Sequence, residues 1–211
     1  MEIVLASRNV HKMREFRIML SPIPGLDIDS LLSYPDYTPP EETGETFEEN
    51  AEVKAVHAAQ TLGKIVLADD SGIVVPVLDG APGVYSRRYA GDDATDRENR
   101  MKLLEELKGK SGVQRQAYFE CSLVIAGPEG VLKKARGRVE GYIAEEEKGR
   151  NGFGYDTIFV KHDYDKSFGE LTDDVKNRIS HRRKAIDVLF HFLESMVSKE
   201  QFQKSSSKNL N

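Results

Sequence analysis

The sequence predicts an α/β fold built on a mixed β-sheet, and three observations lead to that prediction. Two short apolar runs that open into polar loops, Glu2–Ala6 and Ile65–Ala68, are typical of buried parallel strands. Apolar residues at helical spacing lie between these two runs. Two long segments joined by a short loop, Tyr118–Ala126 and Val131–Ile143, predict an antiparallel hairpin. Helices, parallel strands and a hairpin together indicate a mixed sheet.

The remaining elements follow from caps, periodicity and chain breakers. In chain order they are a helix over Lys12–Leu20, a helix from the capping box Thr46–Glu49 to Gly63, a strand over Ile73–Leu78 with an edge or bulge at Pro76, a helix over Arg97–Leu107, a strand over Thr157–Val160, and a helix over Asp173–Ser198 that is irregular near Ser180. No repeat or linker divides residues 1–200, which we expect to form a single domain. Residues 201–211 are rich in serine, lysine and asparagine, and we expect them to be a disordered tail.

Composition limits the classes of partner. The chain has 211 residues, of which 39% are hydrophobic and 31% charged, enough for a sizeable core in a globular protein. Thirty Lys and Arg against 35 Asp and Glu give a net charge of −5. This balance argues against a nucleic acid or an anionic membrane surface as partner. An anionic ligand would need positive charge that is concentrated locally.

Cysteine content and the absence of long apolar runs bear on location. Cys121 is the only cysteine, so an intrachain disulfide and a multi-cysteine metal site are excluded. It lies in an apolar run and is expected to be a buried core thiol rather than a nucleophile. No stretch approaches the roughly 18 apolar residues of a membrane span, and the first residues lack signal-peptide features. We therefore expect a cytoplasmic protein.

The first candidate site segment is Ser7–Lys12, between a predicted strand and a predicted helix. Backbone N–H groups and the helix dipole at such a turn suit a phosphate. Ser7 and Asn9 add hydrogen-bonding side chains, and Arg8 and Lys12 add positive charge. Taken alone, the segment more often indicates a helix N-cap flanked by solvated basic residues.

The second candidate is Asp69-Asp70-Ser71-Gly72, which the sequence places at the end of an apolar strand. Two adjacent carboxylates there are costly to desolvate unless a cation neutralises them, and Mg²⁺ prefers such oxygen ligands. Glu41, Glu42 and Glu45 are possible additional ligands. The alternative is that one aspartate caps a turn while the other faces solvent.

Two further segments could contact a nucleotide. Asn151–Asp156 carries two glycines around an aromatic residue, so Phe153 or Tyr155 could stack on a base, although an ordinary turn would look the same. Lys176–Lys184 is the densest basic stretch, which alone would be read as an exposed helix face. No serine- or cysteine-nucleophile motif and no zinc motif is present.

Taken together, these segments resemble the inosine-triphosphate pyrophosphatase family, which hydrolyses aberrant purine nucleoside triphosphates. The matching segments, in the order of the family, are Ser7–Lys12, Glu41–Gly44, Thr46–Asn50, Ala68–Gly72, Gly80–Ser86, Arg88–Gly91, Gly152–Asp156, Glu170–Leu171 and Ile179–Arg182. Arg8, Thr157 and Arg183 depart from the commonest family pattern. None of these departures removes an expected ligand or base.

The resemblance implies an elongated fold with two lobes on a long mixed sheet, a nucleotide-binding groove between the lobes, and a homodimer. It implies a Mg²⁺-dependent pyrophosphatase that converts ITP, dITP or XTP into a monophosphate and pyrophosphate. By position, Glu41, Asp69 and Asp70 would hold the metal, and Asp70 would be the catalytic base. The implied substrate-binding residues are Ser7, Arg8, Asn9, Val10, His11, Lys12, Ser71, Phe153, Gly154, Tyr155, Asp156, Lys176, His181 and Arg182.

Three other functions remain open from the sequence. A pyrophosphatase for modified pyrimidine triphosphates would differ in substrate preference. A nucleotide sensor without catalysis is disfavoured because the Asp69-Asp70 pair and Lys12 are present. An RNA-binding module is disfavoured because aromatic residues do not alternate with the basic ones.

Overall fold

In the computed structural model, which describes residues 1–208, one six-stranded sheet carries the helices. The elements of this part of the chain are β1 (Glu2–Leu5), α1 (Val10–Leu20), β2 (Asp27–Ser30), α2 (Phe47–Leu62), β3 (Val66–Val74), α3 (Asp96–Glu106), β4 (Gln116–Gly127), β5 (Gly130–Ile143), β6 (Phe159–Lys161), α4 (Asp173–Ile179) and α5 (His181–Lys208). Short 3₁₀ helices cover Leu31–Ser33, Pro76–Leu78, Gly83–Arg88 and Gly112–Arg115.

The sheet is mixed, as the sequence predicts. Its strand order is β2-β1-β3-β4-β5-β6. β1 runs parallel to both β2 and β3, whereas β3, β4, β5 and β6 pair antiparallel. The long hairpin of β4 and β5 turns tightly between Gly127 and Gly130. The prediction of an α/β fold with a mixed sheet is confirmed.

The predicted strand boundaries on both sides of the acidic motif are wrong. The sequence ends one strand before Asp69 and predicts another over Ile73–Leu78, but β3 runs without a break from Val66 to Val74, and Pro76–Leu78 is a 3₁₀ helix. Every residue of β3 has a partner on β4, including Asp69 opposite Leu123 and Gly72 opposite Glu120. Ladder pairing thus overrides the turn propensity of Asp and Gly. The motif therefore lies inside a central strand.

The helix ends follow the local signals, except at the carboxyl end of the chain. α2 begins at the predicted Thr46–Glu49 capping box and ends at Gly63, whose φ of 65° suits glycine. The predicted irregularity near Ser180 is also present, because Ser180 has extended backbone between α4 and α5.

The predicted tail from residue 201 is helical as far as Lys208, and residues 209–211 lie outside the described part of the chain. Extending an existing helix costs far less than nucleating one, and an ion pair from Lys204 to Glu200 at 2.9 Å supports the extension. No helix within residues 1–208 combines the length and the apolar character that a membrane span requires.

The core has one part on each face of the sheet and a third part at its far end. Alternation along β4 directs Leu123 and Ile125 towards α1 and α5, and Val124 and Ala126 towards α2. The farther ends of β3, β4 and β5 pack with α3 and β6 around Phe159. These two halves of the sheet form two lobes, and the middle of β3 lies between them.

Candidate active site

A cavity of about 350 Å³ opens between the two lobes, beside the middle of β3. It collects most of the side chains that the sequence singles out, although they come from five separate parts of the chain. The predicted residues that line it are Ser7, Arg8, Asn9, Lys12, Asp69, Asp70, Ser71, Phe153, Gly154, Tyr155, Asp156, Lys176, His181 and Arg182.

Three predicted residues do not line this cavity. The side chain of Val10 is 60% exposed at the start of α1. His11 lies on the side of the Phe153 ring that faces away from this cavity, and the two rings stack with their centroids 5.2 Å apart. Glu41 is exposed to solvent, whereas its neighbour Glu42 lines the cavity.

The Ser7–Lys12 segment is organised as a helix N-cap. Asn9 Oδ1 accepts the backbone N–H groups of His11 and Lys12 at 2.9 and 3.1 Å. Ser7 Oγ accepts the N–H of Asn9 at 3.1 Å. These bonds satisfy donors that the sequence argument assigned to a phosphate, so the helix-cap interpretation holds for them. What the segment offers to a ligand here is mainly the ammonium group of Lys12.

Asp69 is buried among cations. Its Oδ1 lies 2.6 Å from Lys12 Nζ, and its Oδ2 lies 3.4 Å from Arg182 Nε. The thiol of the buried Cys121 is 3.7 Å from the same Oδ2. Burial by itself would raise the pKa of Asp69, but the charges of Lys12, Arg182 and Lys54 outweigh it and hold that pKa well below its usual value. Asp69 is therefore a permanent anion that orients two cations.

Asp70 has a different environment, because successive side chains of a strand point to opposite faces. Its Oδ1 lies 2.9 Å from Lys54 Nζ, and its Oδ2 accepts a bond of 3.4 Å from Asn50. Lys54 also contacts Glu42 at 2.9 Å. Burial raises the pKa of Asp70 in spite of Lys54. Asp70 is thus a better proton acceptor than an ordinary surface aspartate.

The glycine-rich loop brings an aromatic ring to the cavity. Asp156 accepts the backbone N–H of Phe153 at 2.8 Å and pairs with Lys176. Lys176 Nζ also lies 2.8 Å from Glu15 Oε1 and 4.7 Å from the centroid of the Phe153 ring. The half-buried ring is thereby held at the cavity wall, with cationic groups close to its face.

His181 and Arg182 begin α5 at the floor of the cavity. Arg182 is fully committed within the protein, since it pairs with Glu15 and Asp69 and donates to Ser71 Oγ at 3.0 Å. The imidazole of His181 is 3% exposed and stacks on Phe119, and its Nδ1 has no hydrogen-bond partner among the described residues. Burial, together with the charges of Arg182 and Lys176, holds the pKa of His181 well below its usual value. Nδ1 is therefore a neutral ring nitrogen, buried beside the cavity without a partner among the described residues.

Lys54 and Glu15 belong to the site and were missed by the sequence argument. Both left a weak signal. Lys54 follows Asn50 by four residues, so two polar residues fall on the stripe of α2 that is otherwise filled with buried alanines. Glu15 follows Lys12 by three residues on α1 and so shares its helix face. Neither signal distinguishes a site residue from an exposed one without the tertiary contacts.

The donor set can be tested against a magnesium ion. Among residues 1–208, no group of three or more His, Cys, Asp or Glu side chains could hold a metal ion by itself. Two carboxylates, Asp70 and Glu42, nevertheless lie beside the single ammonium group of Lys54. Because two negative charges meet one positive charge, this point of the cavity attracts a further cation. One or two carboxylates completed by phosphate oxygens and water are the usual protein site for Mg²⁺. The residues fit that arrangement.

Comparison with known proteins shows the family of this chain. The model of the Ham1 family matches residues 3–192. A Protochlamydia amoebophila protein named dITP/XTP pyrophosphatase is 55% identical over 93% of this chain and 99% of its own length.

Two solved structures show the same fold. The Staphylococcus aureus Ham1 protein is 43% identical, with a TM-score of 0.82 over 93% of this chain and 100% of the other. A Mycobacterium abscessus nucleoside-triphosphatase, also named dITP/XTP pyrophosphatase, is 38% identical, with a TM-score of 0.74 over 90% of this chain and 98% of the other. The resemblance seen in the motifs is confirmed, and this chain belongs to the Ham1 family.

Proposed function

We propose that this protein hydrolyses non-standard purine nucleoside triphosphates (ITP, dITP and XTP) to the nucleoside monophosphate and pyrophosphate. The observation that carries the proposal is the convergence of the ammonium groups of Lys12 and Lys54 with Asp70 in one cavity of a protein whose net charge is −5. Such a cluster suits a polyanionic substrate. The names of relatives at up to 55% identity give dITP and XTP as triphosphates to test, and ITP is the ribonucleotide counterpart of dITP.

The ammonium groups of Lys12 and Lys54 would bind the triphosphate. Each is held within 2.9 Å of a carboxylate, so each is already placed and partly desolvated before a phosphate arrives. Triphosphate hydrolysis depends mainly on positioning and on neutralising charge, which fixed cations provide. Arg8 lines the same side of the cavity and donates to the carbonyl of Tyr37 at 2.8 Å.

The base would lie against Phe153, with His181 at its edge. An aromatic face is a stacking platform for any base. Discrimination needs hydrogen bonds, and the unpartnered Nδ1 of His181 can donate to a 6-oxo group as one tautomer. The 6-amino group of adenine would then meet a donor, and an unmade buried hydrogen bond costs about 1–3 kcal/mol. This geometry supports preference for hypoxanthine and xanthine over adenine.

Asp70 would act as the base. A water oxygen attacks the α-phosphorus, its proton passes to Asp70, and the bond from the α-phosphorus to the bridging oxygen breaks to release pyrophosphate. The carboxylate of Asp70 lines the cavity, with its Oδ1 2.9 Å from Lys54 Nζ, and would accept that proton there. We propose Mg²⁺ as the cofactor, held by Asp70 with a glutamate of the acidic loop, Glu42 or Glu41. Asp69, which the resemblance also implies as a ligand, is paired with Lys12 and Arg182 and is left out of this set. When bound, the ion would neutralise charge on the phosphate oxygens.

The decisive experiment compares ITP, XTP, dITP, dUTP and ATP side by side, with pyrophosphate and orthophosphate both measured. We expect one pyrophosphate per turnover, with kcat/KM highest for the 6-oxo purine triphosphates. Release of orthophosphate would instead place cleavage at the γ-phosphate. Preference for dUTP would favour a pyrimidine house-cleaning enzyme, and binding without turnover would favour a sensor.

Assembly as a homodimer in the cytoplasm completes the proposal and rests on the family resemblance and on the single, buried Cys121. Light scattering during gel filtration should give twice the 23.7 kDa of one chain. A mass of one chain would remove the homodimer from the proposal. Cell fractionation with tagged protein would test the location.

A further inference from the structure

Two side chains of α3 hold both polar groups of one residue in the loop that carries Phe153. The backbone N–H of Gly154 donates to Asp96 Oδ2 at 2.7 Å. Its carbonyl accepts from Arg100 Nη1, also at 2.7 Å. Asp96 and Arg100 are four residues apart and therefore lie on one face of the helix. We call this pair the α3 clamp.

The loop needs an external restraint of this kind. Gly152 and Gly154 flank Phe153 with φ of +76° and +60°, a conformation that glycine adopts readily but does not enforce. Within the loop, Asp156 holds the N–H of Phe153. The clamp adds two bonds from charged groups, which are stronger than bonds between neutral ones. The direction of the Phe153 ring therefore depends on α3 as well as on Asp156, Lys176 and the stacked ring of His11.

The α3 clamp is itself rigidly supported. Arg100 also pairs through Nε with Glu147, which accepts a bond from Thr157 at 3.2 Å. Between the two clamp residues, Asn99 is buried, accepts the N–H of Ala90 at 2.8 Å and donates to the carbonyl of Arg87 at 3.0 Å. A site group held by a rigid element is placed more accurately than one held by a mobile loop.

We propose that Asp96 and Arg100 are positioning residues for the nucleobase, acting through Phe153 without themselves carrying out chemistry. The proposal rests on the proposed function, in which a base stacks on that ring. The Phe153 ring separates the main cavity from a second cavity on its outer side, which is lined by His11, Asp96 and Arg100. Without the clamp, the loop can relax into that outer space, and the base loses its platform.

The test uses Asp96→Ala and Arg100→Ala, with Arg97→Ala as the matched control on an exposed face of the same helix. Steady-state kinetics with ITP would be combined with calorimetric binding of IMP and of inorganic triphosphate, which has no base. We expect each clamp variant to raise KM for ITP and Kd for IMP about tenfold, as for loss of one charge-assisted hydrogen bond. We expect kcat and the Kd of inorganic triphosphate to stay within about twofold of the wild type. Contact between the base and Phe153 stabilises the bound substrate and the transition state equally, so its loss changes KM and leaves kcat unchanged. Arg97→Ala should match the wild type.

Two further measurements separate positioning from general stability. In a Phe153→Leu background, loss of the clamp should weaken IMP binding by less than about twofold more, since the ring it positions is gone. Asp96→Asn keeps an oxygen that accepts the N–H of Gly154 and should restore most of the affinity. Hydrogen exchange at the Gly154 amide should be faster in Asp96→Ala than in the wild type and Arg97→Ala.

Clear outcomes would overturn the proposal. If the clamp variants bound IMP and inorganic triphosphate with equally reduced affinity, the clamp would be a general structural support. The same would follow if the losses of IMP affinity caused by a clamp variant and by Phe153→Leu simply added in the double variant. Unchanged IMP affinity with unchanged exchange at Gly154 would remove any role. IMP binding and exchange do not require turnover, so they decide the question even if the chain does not hydrolyse ITP.

Discussion

At the scale of single residues, the environment separates two neighbouring aspartates that the sequence treats as a pair. Asp69 is paired with Lys12 and Arg182, which lower its pKa, whereas burial raises the pKa of Asp70 beside a single lysine. One side chain is thus kept charged to orient cations, while the other is suited to exchange a proton. Their order along β3 assigns these roles, because adjacent strand residues face opposite ways.

We expect Asp70→Asn to lower kcat for ITP by at least about a hundredfold while the fold is retained. The amide keeps the volume of the side chain but neither accepts the proton nor offers a charged metal ligand. The exposed Asp93→Asn is the control for loss of one charge. Activity within threefold of the wild type, about 0.7 kcal/mol in barrier height, would contradict the role given to Asp70.

We expect Glu42→Gln to weaken Mg²⁺ activation more than Glu41→Gln, because Glu42 lies beside Lys54 and Asp70 while Glu41 is exposed. The two variants remove the same charge from the same loop and so control for each other. The measurement is the Mg²⁺ concentration that gives half-maximal ITP hydrolysis, together with calorimetric Mg²⁺ binding to the free protein. The reverse ranking would mean that the acidic loop rearranges around the metal and that Glu41 is the ligand implied by the resemblance.

At the scale of elements, the site depends on how closely α5 approaches β5. A Cβ atom built on Gly137 of β5 would lie 2.1 Å from the carbonyl oxygen of His181 and 2.4 Å from the backbone nitrogen of Ala185. Only glycine leaves room for this contact, which sets the first turn of α5 and thus the positions of His181 and Arg182. The sequence pattern of β5 does not reveal that requirement.

Gly137→Ala should therefore destabilise the protein by about 1–3 kcal/mol, the usual cost of overpacking, and should also raise KM for ITP. Chemical denaturation would measure the first effect and steady-state kinetics the second. Lys133→Ala, at an exposed position of the same strand, should stay within about 0.5 kcal/mol of the wild type. Unchanged stability in Gly137→Ala would show that α5 can move away without cost.

At the scale of the whole molecule, the buried histidine links the site to global stability. The folded-state pKa of His181 lies well below its usual value, whereas the unfolded chain binds a proton near pH 6.5. Below that pH the unfolded state therefore holds more protons than the folded state, so stability falls as the pH decreases and is unaffected by this group above it.

We expect the free energy of unfolding to fall by up to about 1.4 kcal/mol per pH unit on account of His181 between about pH 6 and 5. His181→Gln should reduce that slope whatever its effect on stability at neutral pH. Denaturant unfolding at each pH supplies the slopes, and parallel slopes for wild type and His181→Gln would refute the assignment.

The sequence by itself determined the features that depend on local pattern or on ordered motifs. Apolar periodicity and capping predicted the α/β class, the start and end of α2, the hairpin and the break at Ser180. Ordered motifs predicted the family and most of the side chains around the cavity, because each motif is a short segment whose residues stay together.

Tertiary structure alone decided what depends on contacts between distant segments. The ladder with β4 made Asp69–Gly72 part of a strand, although their local propensity favours a turn. Lys54, Glu15, Asp96 and Arg100 join the site only because helices bring them to partners on other segments, and their own sequence neighbours carry no comparable signal. The same packing left His181 buried with a free ring nitrogen and gave Arg182 a full set of partners. Charge and hydrogen-bonding capacity are properties of a residue. Whether a polar group is paired within the protein or can bind a ligand is set by its neighbours in space.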